Sequence, residues 1–224
     1  MRHWYFRHAR SLVYFGFGVA AISIAVLAYS DSQDTGGALV EARQEYGLWA
    51  LALLLASMII GPIVSVLPWL PLKAPLMYAR RAVGVSAILM AALHVACYVT
   101  SFLRRSWHEL YSPGVRWVLG LLLGLTALAL MAMLALTSND AAVRRMGGRR
   151  WKRLHRAVYA LLGIVLLHAM LNGADFGLAR APDVTASPDA GALFGFLAVA
   201  IAWLILFVLR RWRIRWTPGV LKRD

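Results

Sequence analysis

Of the six histidines in this 224-residue chain, two stand where imidazole is out of the ordinary. His94 lies between Arg81 and Arg104, and His168 between Arg156 and Asp175, each deep in a run without a charged residue. A polar or metal-binding side chain inside such a run is costly in lipid and is usually functional. Two neutral imidazoles facing each other across a helix bundle form the axial ligand set of a low-spin b haem. Neither run supplies a carboxylate that would complete a zinc or di-iron site. The competing reading is that each ring only packs and hydrogen-bonds a neighbouring carbonyl. Matched depth decides for the pair. His94 is 13 residues past Arg81 and His168 is 12 past Arg156, which puts them about 20 Å and about 18 Å along their helices at 1.5 Å per residue.

The elements that carry these residues follow from hydropathy. The chain is 61% hydrophobic with a mean hydropathy of +0.65, too apolar for an ordinary soluble domain. Charge-free runs recur six times, each near the roughly 20 residues that cross a bilayer core as a helix. They show no period-2 alternation, so barrel strands are excluded and helices remain. The expected fold is all-α: a six-transmembrane-helix bundle forming a single domain over residues 1–224. The spans fall at about 11–30, 47–67, 82–103, 116–138, 155–173 and 190–209. The longest connections, about 15 residues, cannot fold alone. No glycine-rich dinucleotide fingerprint or P-loop is present, so electrons or substrates come from a partner or from the membrane.

The net charge of +14 would suggest nucleic acid in a soluble protein, but its distribution says otherwise. Nineteen of the 24 lysines and arginines fall on alternate connections. These are Arg2, Arg7 and Arg10; Lys73, Arg80 and Arg81; Arg144, Arg145, Arg149, Arg150, Lys152, Arg153 and Arg156; and Arg210, Arg211, Arg213, Arg215, Lys222 and Arg223. The excess of basic residues on that side places both termini in the cytoplasm. The apolar run ending Ala28-Tyr29-Ser30 is longer than a signal-peptide core of about 7–15 residues, so an uncleaved first helix is expected. With this orientation the His94–His168 level lies in the outer half of the bilayer.

His155 stands at the inner start of span five, 13 residues before His168. That spacing suits a second haem about 20 Å below the first. At about 100° per residue, however, the two rings point roughly 140° apart, so a bend near Gly163 would be needed to align them. The matching depth on span three carries Arg80 and Arg81 rather than histidine. A lone ligand, a propionate partner and an interfacial residue are all open for His155. His3, His8 and His108 belong to charged segments at or beyond the boundary. Cys97, the single cysteine, reads as a small packing residue, and Gly61-Pro62 as a kink or end of span two. Gly120 and Gly124 form a small-xxx-small spacing that ordinary helix packing explains.

The stretches Arg80-Arg81 through His94, and Thr137-Ser138 through Gly147, Arg150-Trp151, Leu154-His155, Tyr159 and His168, resemble the MsrQ family of haem-binding membrane subunits. That family lies within the ferric reductase-like transmembrane superfamily, which also includes NADPH oxidases. The likeness covers roughly a third of the chain. It implies haem ligation by His94, His168 and His155, and a bacterial inner (cytoplasmic) membrane location. It also implies electron transfer from the quinone pool or a cytoplasmic flavin reductase. The acceptor would be a periplasmic molybdenum-containing methionine sulfoxide reductase that repairs oxidised proteins. FMN is implied by the resemblance alone. NADPH oxidases carry two histidines on each of two helices; here the inner position of span three is arginine, so one haem b is expected and a second is left open. Two other functions fit the architecture: a self-sufficient quinol-linked cytochrome b or ferric reductase, and a non-redox transporter or scaffold. The lack of an intramembrane carboxylate counts against proton-coupled transport.

Overall fold

The computed structural model describes residues 2–32, 34–67, 69–71, 73–104, 115–172, 201, 203–205, 207–209 and 211. Among the described residues up to 172 there are seven helices: α1 (Arg2–Asp31), α2 (Thr35–Val66), α3 (Lys73–Arg104), α4 (Val115–Leu136), α5 (Asp140–Met146), α6 (Gly148–His155) and α7 (Ala157–Asn172). Five helical stretches among the described residues are long and apolar enough to cross a membrane: α1 from His8, α2, α3 up to Ser101, α4, and α6 with α7. The expected sixth span lies largely outside the described residues, as does His108. Within it, residues 201, 203–205 and 207–209 are helical, and Trp203 and Phe207 pack beside Tyr159 of α7.

The helices outrun the charge-free stretches from which they were expected. α2 begins at Thr35, twelve residues before the span expected at 47, because Asp34 caps it by accepting the Gly37 N–H at 2.6 Å. Its 32 residues extend about 48 Å, against a bilayer core of about 30 Å. Pro62 does not end α2 either, since the helix continues to Val66. Around the proline, side chains engage nearby carbonyls: Arg80 Nε donates to Ser57 at 2.8 Å and Ser65 Oγ to Gly61 at 2.8 Å. Span five is interrupted at Arg156, between α6 and α7, whereas Gly163 lies inside an unbroken α7. The break in the helix between His155 and His168 therefore falls at Arg156 and not at Gly163.

α2 packs along α3 and α4 along α7, while α1 covers α2 and α3. The core is built from Leu51, Leu54, Leu55 and Met58 of α2, Ala87 and Met90 of α3, Met131 and Leu134 of α4, and Leu161 of α7. Cys97 is half-buried and packs against this core. Large apolar side chains such as Phe15, Ile22, Leu119 and Leu122 face outward, as lipid contact requires of a helix whose backbone is internally bonded.

A histidine pair as the candidate cofactor site

His94 on α3 and His168 on α7 meet inside the bundle. Their ring centres are 6.2 Å apart and their planes stand at 86°. Each ring also bonds a helix carbonyl: His94 Nδ1 lies 2.8 Å from the Arg43 oxygen of α2, and His168 Nδ1 lies 2.8 Å from the Gly120 oxygen of α4. A carbonyl only accepts, so Nδ1 carries the proton in both rings and Nε2 keeps its lone pair. The packing reading of these residues is thus realised together with the pairing, because the same hydrogen bond that seats each ring prepares the other nitrogen as a ligand.

The spacing of the pair suits a haem iron. Two imidazoles bound on opposite sides of one metal, with metal–nitrogen bonds of about 2.0 Å, have ring centres about 6.3 Å apart. The observed spacing matches. Among the described residues no group of three or more His, Cys, Asp or Glu side chains could hold a bare metal ion. Two nitrogens are what an iron already ringed by a porphyrin needs from the protein.

The surroundings of the pair were not foreseen from sequence. A Cβ on Gly47 would stand 2.9 Å from His94 Nδ1, and one on Gly124 would stand 2.8 Å from His168 Cε1. Gly120 has a second neighbour, since a methyl there would overlap the Asn172 amide. Arg116 Nε donates to the Leu171 carbonyl at 3.1 Å, so the end of α7 is tied along α4. The small-xxx-small spacing of Gly120 and Gly124 is therefore a seat for His168 and Asn172. The sequence signal was present, but only the facing helix shows what fills the notch.

His155 is elsewhere. It ends α6, with its ring stacked on Trp151 at 4.0 Å and Nε2 lying 3.2 Å from Thr137 Oγ1. Trp151 Nε1 donates to the Thr137 carbonyl at 2.8 Å, and the Arg81 guanidinium lies 5.5 Å over the Trp151 ring. Arg81 also pairs with Asp140 at the start of α5. The Arg81 hydrogen bond, then its charge, holds the Asp140 carboxyl below its ordinary value. Two levels of contact therefore join α3 to α6 and α7, with Arg81 and His155 each 13 residues before the paired histidines. The two segments run in the same direction, as the depth count required.

Between α5 and α6 the backbone turns at Gly147, whose φ of 75° favours glycine. α6 puts Trp151, Leu154 and His155 on its half-buried side, while Arg149, Arg150, Lys152 and Arg153 are exposed, as are Arg144 and Arg145 of α5.

A bundle of long apolar helices with two imidazoles meeting inside it defines a multi-pass membrane class of protein with a candidate metal-ligand pair. The chain belongs to the ferric reductase like transmembrane component family, whose family model matches residues 46–167. It is similar to the protein-methionine-sulfoxide reductase heme-binding subunit MsrQ of Rhodospirillum rubrum, 35% identical over 140 residues that cover 62% of this chain and 64% of that protein. The MsrQ of Caulobacter vibrioides is 36% identical over 129 residues, 57% of this chain and 59% of that protein. The magnetosome protein MamZ of Magnetospirillum gryphiswaldense is 36% identical over 144 residues, 64% of this chain and 22% of that protein. The chain thus spans about a fifth of MamZ and about three fifths of the MsrQ relatives it matches. No solved structure matches.

Proposed function

We propose that this protein is a b-haem transmembrane electron-transfer subunit of the bacterial inner membrane, with six spans and both termini in the cytoplasm. It passes electrons outward to a periplasmic, molybdenum-containing methionine sulfoxide reductase that repairs oxidised proteins. The observation that carries this reading is the His94–His168 pair, 6.2 Å apart with both Nδ1 atoms bonded to helix carbonyls. The printed name of the MsrQ relatives, a heme-binding subunit of a methionine sulfoxide reductase, supports the partner. The charge asymmetry of the connections supports the orientation.

His94 and His168 hold the iron through Nε2, and the bound haem supplies one-electron iron chemistry at that level. His155, with Thr137 and Trp151, serves the inner level. The exposed basic surface of α5 and α6 faces the donor, a membrane quinol or a cytoplasmic flavin reductase, and suits the phosphate of FMN.

A reduced-minus-oxidised spectrum of membranes tests this. His94→Ala and His168→Ala are each expected to abolish the low-spin b signal of the pair. His155→Ala decides between a second ligand, if part of the signal is lost, and an interfacial residue, if none is. Unchanged spectra in both His94→Ala and His168→Ala would sink the assignment. The family description favours one second reading, direct reduction of an external ferric chelate. Chelate reduction without a periplasmic partner would support it.

A further inference from the structure

The two histidines are seated alike on two different helices. On α2, His94 bonds the carbonyl of Arg43 and lies against Gly47; on α4, His168 bonds the carbonyl of Gly120 and lies against Gly124. In both cases the glycine follows the carbonyl by four residues, so it is the residue whose N–H reaches that carbonyl in an ideal α-helix. A helical side chain leans back over the turn before it and would cover this oxygen. Glycine leaves the oxygen open from the side. Each helix therefore presents a slot with an acceptor at one end and a missing methyl on its floor.

Glycine in a membrane helix is usually there for close helix packing, and that is the reading to beat. The contacts separate the cases. Among the described glycines only Gly47, Gly120 and Gly124 would bring a Cβ within 3.0 Å of a neighbour. Two of these three meet the two paired imidazoles, at the same offset from the carbonyl each ring uses.

We propose that Gly47 and Gly124 are positioning residues for the iron ligands. Together with the Arg43 and Gly120 carbonyls, they fix the spacing of the two imidazoles and the near-perpendicular angle between their planes. The inference rests on the haem reading above. A side chain at either glycine comes within 3.0 Å of the ring, so the ring must shift from the seat that glycine leaves it. Because Nδ1 is held by the same slot, a tilted ring also loses the hydrogen bond that strengthens Nε2 as a donor.

The test uses the full, haem-loaded chain in detergent, comparing Gly47→Ala and Gly124→Ala with Gly163→Ala. Nothing lies within 4 Å of a Cβ on Gly163. Alanine is the better helix former, so a loss at Gly47 or Gly124 does not come from a weakened helix. The readouts are haem content and the electron paramagnetic resonance spectrum of the ferric protein. Wild type is expected to show the strongly anisotropic low-spin signal that crossed ligand planes produce. Gly47→Ala and Gly124→Ala are each expected to shift it or to convert part of it to high spin, while Gly163→Ala matches wild type. Wild-type spectra in both slot variants overturn the proposal. If the variants do not accumulate, wild type alone still tests it, because the rhombic signal of parallel planes would overturn it. A wild-type protein that binds no haem sinks the functional reading itself, a different outcome from haem that binds indifferently to both glycines.

Discussion

Trp151 lies flat against His155, their ring centres 4.0 Å apart, and its indole N–H reaches past the ring to the Thr137 carbonyl at 2.8 Å. The Thr137 hydroxyl then meets His155 Nε2 at 3.2 Å, so one residue at the end of α4 holds both aromatic side chains. Trp151→Ala removes the indole bond and the stack together. The expected cost is about 1–2 kcal/mol, seen as a lower thermal midpoint in detergent. Trp151→Phe should recover the stack but not the bond. Equal midpoints for wild type and Trp151→Ala would show that the inner latch contributes nothing.

Gly120 and Gly124 differ by one helical turn and in what they can tolerate. The neighbour of Gly120 is the end of an exposed Asn172 side chain, which can swing away. Gly120→Ala should therefore cost less than about 1 kcal/mol, whereas crowding a held ring at Gly124 should cost about 1–3 kcal/mol. Denaturant or thermal titration of the two variants in parallel reads the difference. Equal losses would mean that His168 yields as easily as Asn172.

Asp140 makes the α5 contact pH-dependent in a defined direction. Its carboxyl is held below the ordinary value of 3.8 by Arg81. A depressed folded value means that the contact adds stability above the unfolded value, and that this is lost as pH falls through the folded one. Wild type should therefore exceed Asp140→Asn in thermal midpoint at neutral pH, with the gap closing only below pH 3.8. A gap that persists into stronger acid would show that the carboxylate is not its source.

Tyr46 joins α2 to α1, its hydroxyl donating to the Ala21 carbonyl at 2.9 Å from a side chain that is 5% exposed. Tyr46→Phe keeps the packing and removes the bond, for an expected loss of about 1 kcal/mol. Because Tyr46 is one position from Gly47, the same variant checks whether α1 helps to hold α2 against His94. Haem content that falls along with stability would say that it does.

The sequence by itself determined the helical class, the presence of five long apolar helices among the described residues, and the matched positions of His94 and His168 along theirs. These follow from quantities carried along the chain: the cost of charge and unpaired backbone in lipid, and a rise of 1.5 Å per residue. It also placed Arg81 rather than a histidine at the depth of His155 on α3, and the structure sets that guanidinium over Trp151. Helix ends lie beyond the apolar runs because charged and capped turns continue a helix, as Asp34 does for α2. What only the tertiary structure decided is which surface faces which. Gly47, Gly120, Gly124 and the Arg43 carbonyl gain their meaning from a ring on another helix, 44 to 51 positions away. No local pattern records that partner, because a missing side chain has no chemistry of its own until something fills the space it leaves.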